Sequence, residues 1–477
     1  MIYLLNSIEF VLFFILVFIL YWTVPGAFKK YFLLIASYLF YASWNWKFLS
    51  LIFISTVMNY FCGLAIYKSG NAGFRKFLLA LSIATDLSIL AFFKYFHFFA
   101  DNLSALMNSL GLGFNFSTLN IILPLGISFY TFETIGYIAD VYGKKFTPVE
   151  SFTDFALFVA YFPKLISGPI ERAKKLIPQI QSKKQFRDIK FKEGLYLFIY
   201  GLFKKIVIAD SVAAIANNVF AMNNPSGAQI LIAAYAFAIQ LYCDFSGYID
   251  MARGISYFFG IELSANFNIP YFAKNPHDFW SRWHTTLSSW VRDYIYIPLG
   301  GHNAKFLAAL PLLAAWFMMG LWHGAAWNFV LWGIYWFIIV FVYHAFKLIR
   351  FNLTRDKDKK KAFLGGKADF FKILIMFHIT AFGWIIFRSK SLAQAASFTK
   401  SLISGISIPS LLNADYAFLY VAALFLIIYE SLQYFQNDET FIYKKNFYLQ
   451  MVFYISLFFI YVEVYSASNV NFLYFQF

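Results

Sequence analysis

Two histidines stand in sequence where an ionisable side chain is expensive. His284 lies in FWSRWHTTLSSWVRDY and His323 in GLWHGAAW, each flanked by tryptophan and separated by one polar loop and one uncharged, membrane-length segment. In hydrocarbon such a group faces a cavity, a partner or a reaction. Imidazole changes charge nearest neutral pH, which suits it to moving protons. As a general base, neutral His323 would take the proton of an attacking hydroxyl; a core histidine bonded to a neighbouring carbonyl fits the same residues. The small residues Gly320, Gly324, Ala325 and Ala326 around it permit close helix packing.

Around His284 the bases Arg282, Arg292 and Lys274 suit the phosphates of a nucleotide-like donor, guanidinium matching phosphate in geometry. The alternative is an interfacial helix holding Trp280, Trp283 and Trp290 at headgroup depth. His277, Asp278, His284 and Asp293 show no recognisable zinc spacing, so no metal is expected. Asp86, Glu133, Asp140, Asp244 and Asp250, in or near apolar segments, are expected to pair with buried bases or hydroxyls. No G-x-S-x-G elbow, P-loop or Rossmann glycine cluster occurs.

The elements that must position these groups are membrane helices. The 477 residues are 61% hydrophobic, 23% aromatic and only 13% charged, far from a soluble composition. Uncharged stretches such as Phe10–Val24, Ser211–Cys243, Phe306–Trp322 and Tyr416–Tyr429 approach or exceed the ~20 residues a spanning helix needs. Spans are expected near 8–24, 31–45, 48–67, 77–100, 119–142, 195–220, 228–247, 306–322, 326–348, 373–390, 415–435 and 448–466. The fold class is therefore an all-α polytopic membrane protein, a bundle of about 11–12 transmembrane helices, read as one domain over residues 1–477. Proline-broken segments near 150–192 and 264–305 read as re-entrant or cytoplasmic and imply a central cavity, because irregular backbone at membrane depth must be buried in protein or line a wet space.

A net charge of +15 does not point to nucleic acid, because the bases gather in loops between apolar segments, at 172–192 and 350–372. That placement follows the positive-inside rule and favours contact with anionic lipid. These loops are expected to be cytoplasmic and both termini to face outward in a multi-pass membrane protein. The first apolar run lacks a basic start and a small-residue cleavage site, so it reads as a retained helix. Cys62 and Cys243 imply no disulfide framework.

PLGISFYTFETIGYIADVY (124–142), YFPKLISGPIER (161–172), LYCDFSGYIDMARGISYFFGI (241–261), NFNIPYFAKNPHDFWSRWHTTLSSWVRDYIYIPLGG (266–301), MGLWHGAAWNFVLWG (319–333) and FLYFQF (472–477) together resemble the membrane-bound O-acyltransferase family, in its alginate and peptidoglycan O-acetyltransferase branch. One departure is Glu133, where that branch would carry glutamine. The resemblance implies acyl transfer at or across the membrane, with acetyl-coenzyme A as cytoplasmic donor substrate and no permanently bound cofactor. It maps the family's catalytic histidine onto His323 and its second characteristic histidine onto His284. It also implies an extracytoplasmic partner of the SGNH-esterase type that completes acetylation of an exported polysaccharide. FLYFQF is similar to the tail motif of a small companion protein in D-alanyl transfer systems, whose acyl-carrying tyrosine corresponds to Tyr474. An interfacial aromatic anchor, within an extracytoplasmic tail 467–477, accounts for the same residues.

Two further readings compete with acetyl transfer. One keeps the fold but exports D-alanine to teichoic acid. The other is a transporter, which would show the inverted repeats of many such folds; none is visible.

Overall fold

A computed structural model describes residues 4–113, 119, 121–301, 309–353 and 367–465. Tyr474 and most of the 350–372 loop lie outside the described residues. The described chain is helical. Six helical runs are long and apolar enough to cross a membrane: Gly26–Lys68, Ala72–Ser109, Gly227–Tyr257, Trp327–Lys347, Ala368–Arg388 and Ala414–Gln436. Ile8–Thr23, Ala309–His323 and Phe447–Phe459 are apolar but shorter. Many of their outer residues, among them Leu12, Ile35, Phe61, Ile375 and Phe458, are exposed, as expected of side chains whose solvent is lipid. The chain is a multi-pass integral membrane protein.

Several expected spans end differently for local reasons. The spans near 31–45 and 48–67 form one helical run, broken where Asn45 turns to an extended conformation and its side chain caps Lys47 N at 3.1 Å. The span near 119–142 becomes helical only at Ile127, because Gly126 holds φ +72° and a side chain there would strike the Leu165 carbonyl. The span near 195–220 is interrupted by a widened, π-type turn at Lys204–Ala209, and such turns recur at functional sites.

Compactness divides the chain into two units, Met1–Leu202 with Tyr248–Ser264, and Phe203–Gly247 with Ala265–Phe477. In the first unit the Ile127–Tyr142 helix is buried along nearly its whole length, packed on Leu49–Lys68 and Ala72–Leu90. Asp86 there accepts from Ser55 Oγ at 2.6 Å, Asn59 Nδ2 at 2.8 Å and Thr134 Oγ1 at 2.8 Å. The proline-broken stretch folds into short helices Phe152–Ala160, Phe162–Leu165 and Ala173–Gln181. Its irregular backbone is protein-buried from Phe155 to Glu171. Lys164 Nζ pairs with Glu133 Oε2, and Glu133 Oε1 accepts from Glu171 N at 2.9 Å. The Glu171 carboxylate in turn accepts from Ser264 N and, at 3.0 Å, from Ser264 Oγ. Glu133 therefore has a charge partner and a backbone donor of its own, which accommodates an acid where glutamine was expected.

In the second unit Ala309–His323 and Trp327–Leu353 form an antiparallel pair. Gly320 and Gly333 let the two backbones meet, since a side chain at either would strike a carbonyl of the other helix. Asn328 Nδ2 donates to Phe387 O at 2.9 Å and ties this pair to Lys367–Arg388.

Candidate active site

The segment after Ala265 is built by proline and asparagine. Pro270 opens a short 3-10 turn and Pro276 a one-turn helix, Pro276–Trp280, capped by Asn275 on Asp278 N. The chain then doubles back, so that Asn268 N donates to Arg282 O at 2.9 Å and Thr285 N to Asn266 O at 3.0 Å. His284 sits at this reversal with φ +43° and ψ +53°, the left-handed region that a bulky residue rarely occupies. Holding such a residue there costs on the order of 1–3 kcal/mol and persists only where the surroundings over-determine it. Here they do.

Both histidines are buried, His284 at 1% and His323 at 6% exposure. They meet on Trp322: its ring lies 5.7 Å from the His284 ring and 4.9 Å from that of His323. His284 also packs edge-on to Phe245 at 4.8 Å. His323 contacts Trp332 at 5.0 Å and Phe387 at 5.1 Å. Sequence reasoning singled out both histidines, and the fold brings them together. The interfacial alternative for the tryptophans is not what the structure holds. Trp280, Trp283 and Trp290 are buried, with Trp280 against Trp316 at 4.7 Å and Trp283 against Trp384 at 5.0 Å.

The electrostatics of His284 follow from one neighbour. Asn266 Oδ1 accepts from Thr286 N at 3.0 Å and Thr286 Oγ1 at 2.9 Å, and lies 3.2 Å from His284 Nδ1. A backbone N–H can only donate, so the amide atom facing Thr286 is the oxygen. Nδ1 facing that oxygen must then carry the proton. His284 lies outside the long apolar helices, and burial pushes its pKa below the ordinary histidine value, favouring the neutral ring in which Nε2 is the acceptor. Nε2 is buried without a hydrogen-bond partner.

The three bases assigned to donor phosphates already have carboxylate partners. Lys274 pairs with Asp369 at 2.7 Å, Arg282 with Asp278 at 2.6 Å and Arg292 with Asp293 at 2.8 Å. Arg292 is the most exposed of them and lines a cleft of about 540 Å³. Ser281, Thr285, Ser288 and Ser289 give that cleft a hydroxyl wall, facing Ala315, Trp316 and Met319. Lys274 and Arg282 are not among its lining residues. The conceivable metal ligands are not gathered: Asp278 and Asp293 are bound to the two arginines, and among the described residues no cluster of three His, Cys, Asp or Glu could hold an ion.

Sequence reasoning missed Asn266 and, in the same unit, the buried Lys204, Lys205 and Asp210 that gather with Asp244. Lys205 Nζ bridges Asp210 at 2.8 Å and Asp244 at 2.7 Å, and Lys204 Nζ donates to Ser246 Oγ at 2.9 Å. The signal for the cluster was present: adjacent lysines inside the apolar run LFKKIVIAD. Glu133, Asp244 and Asp250 each pair with a base, as expected for acids in such positions.

The family model for MBOAT, the membrane-bound O-acyltransferase family, matches residues 38–387. Among curated relatives, a probable alginate O-acetylase AlgI of Azotobacter vinelandii is 38% identical over 433 residues, 88% of this chain and 83% of the relative. A peptidoglycan O-acetyltransferase of Helicobacter pylori is 37% identical over 415 residues, 80% of this chain and 75% of the relative. A teichoic acid D-alanyltransferase of Bacillus subtilis is 29% identical over 289 residues, 57% of this chain and 70% of the relative.

Proposed function

The chain belongs to the membrane-bound O-acyltransferase family and is an O-acyltransferase, and from that premise we propose that it moves acetyl from cytoplasmic acetyl-coenzyme A to an extracytoplasmic polysaccharide of the alginate or peptidoglycan type. The names of the relatives that align with most of this chain support acetyl over D-alanyl transfer, since the D-alanyltransferase aligns with little more than half of it. The observation that carries the site is the pair of buried histidines sharing Trp322, with one ring nitrogen left as an open acceptor.

In this reading His323 takes the proton of an attacking hydroxyl as its oxygen bonds to the thioester carbonyl carbon. The carbon–sulfur bond then breaks, and the proton passes to the thiolate, giving an ester and free thiol. The buried aromatic walls keep bulk water from competing as nucleophile. His284 acts on the donor side, and Arg292 attracts the donor's phosphates at the cleft it lines, while Arg282 and Lys274, paired with Asp278 and Asp369 outside that lining, add positive charge nearby in sequence. Tyr474 carries the acetyl as a phenyl ester and hands it to an SGNH-type partner, which splits the transfer into two reachable steps. The basic loops face the cytoplasm of a bacterial inner membrane.

Reconstitution into vesicles with radiolabelled acetyl-coenzyme A, a partner esterase and candidate glycans tests this reading. Thioester consumption matched by acetylated glycan is expected. Solute movement without thioester consumption would instead identify a transporter.

A further inference from the structure

The strained loop at His284 ends on an atom with nothing to bind. We propose that Asn266 is a positioning residue that fixes the tautomer and rotation of His284, so that Nε2 accepts a polar hydrogen, N–H or O–H, from the bound substrate. This rests on the acyl-transfer reading and adds a residue and an orientation to it.

Three observations converge. First, Asn266 holds the two peptides that follow the left-handed His284: its carbonyl accepts from Thr285 N and its side-chain oxygen from Thr286 N. Second, that same oxygen faces Nδ1, which places a proton there; in the neutral ring, the form that burial at 1% exposure favours, the lone pair is then on Nε2. A histidine's second nitrogen is routinely set by what the first one meets. Third, Nε2 has no partner although His284 is nearly fully buried. Buried acceptors left open are rare in folded proteins and call for an explanation; a substrate donor supplies one.

The chemistry narrows the donor to two sources. An acyl-coenzyme A arm carries secondary amide N–H groups, and an acceptor alcohol carries O–H. Either places one hydrogen on Nε2, while a carbonyl or phosphate oxygen would meet lone pair with lone pair. Asn266 Nδ2 is itself without a partner, so the carbonyl is the half of the amide that holds the loop.

Asn266→Asp keeps an oxygen for Thr286 and Nδ1, whereas Asn266→Leu removes it. The full-length protein is assayed with acetyl-coenzyme A and a soluble glycan, and a 15N spectrum of histidine-labelled protein is compared with that of His284→Gln to assign the His284 signals. Asn266→Leu is expected to lose roughly 10- to 100-fold in turnover, the scale for removing a partner that orients a histidine. Asn266→Asp should recover most of it. The wild-type spectrum should show Nδ1 protonated and Nε2 bare. A rise in KM for acetyl-coenzyme A identifies the amide source; a fall in kcat alone identifies the alcohol. Wild-type turnover in Asn266→Leu, or a protonated Nε2 in the wild type, overturns the proposal. The spectrum decides even if Asn266→Leu fails to fold or the donor is another thioester, because it is read without turnover.

Discussion

Two buried polar clusters, one in each unit, solve the same problem in opposite ways. Around Glu133 the polar groups close on one another: Lys164 meets Glu133, Glu133 accepts from Glu171 N, and Glu171 accepts twice from Ser264. Its product is a shape, with the proline-broken stretch pinned to the Ile127–Tyr142 helix. Around His284 the chain accepts a left-handed residue and leaves His284 Nε2 and Asn266 Nδ2 without hydrogen-bond partners. A closed network stabilises the fold; an open atom held rigidly is a place for something else to bind. Under the acyl-transfer proposal this difference is what separates a structural ionisable group from a chemical one, although both are buried.

The largest expected effect comes from breaking the open cluster at its base. His323→Ala should reduce acetyl transfer by at least ~10²-fold, the scale of losing a general base, while insertion and purification stay normal. A substantial fraction of wild-type turnover would remove His323 from that role. Breaking the closed cluster should act on the fold instead. Lys164→Met leaves Glu133 buried without its counter-charge and should cost about 3–5 kcal/mol, seen as a large drop in thermal midpoint with activity retained per folded molecule. The double variant Lys164→Met with Glu133→Gln should recover much of that loss, because no lone charge remains. If it does not, the pair has a role beyond neutralising itself.

Tyr474→Phe tests the proposed relay in the tail. It keeps the aromatic ring and removes the hydroxyl, so delivery to the partner should fall while donor binding is unchanged. Mass spectrometry of the C-terminal peptide after incubation with acetyl-coenzyme A should show an acetyl ester in the wild type only. Normal glycan acetylation by the variant would mean direct transfer. The smallest effect belongs to the cleft. Arg292→Gln should raise KM for acetyl-coenzyme A by roughly tenfold, the worth of one charge-assisted bond, and leave stability within about 1 kcal/mol because its pair with Asp293 is exposed. An unchanged KM would place the donor's phosphates elsewhere.

Much of this was legible in the chain. Long uncharged runs announced the helices, and tryptophan-flanked histidines pointed to the two rings that the fold brings together on Trp322. Where tryptophan belongs was not legible: one reading put Trp280 and Trp283 at headgroup depth on an interfacial helix, and their contacts with Trp316 and Trp384 bury them instead. Asn266 was hidden for a different reason. It is an ordinary residue in NFNIP, and its role arises from a backbone reversal that brings it against His284, 18 positions away. The break at Gly126 was equally silent, since it depends on the Leu165 carbonyl of a distant segment.

The most direct test measures acetyl transfer and thermal midpoint together on His323→Gln and Lys164→Met, both purified in the same lipid discs and normalised to folded protein. The expected result is a split: His323→Gln folds like wild type and transfers almost nothing, while Lys164→Met melts early and transfers normally per folded molecule. The reverse, an active His323→Gln beside a stable but inactive Lys164→Met, would place the chemistry in the closed cluster and contradict the division drawn here.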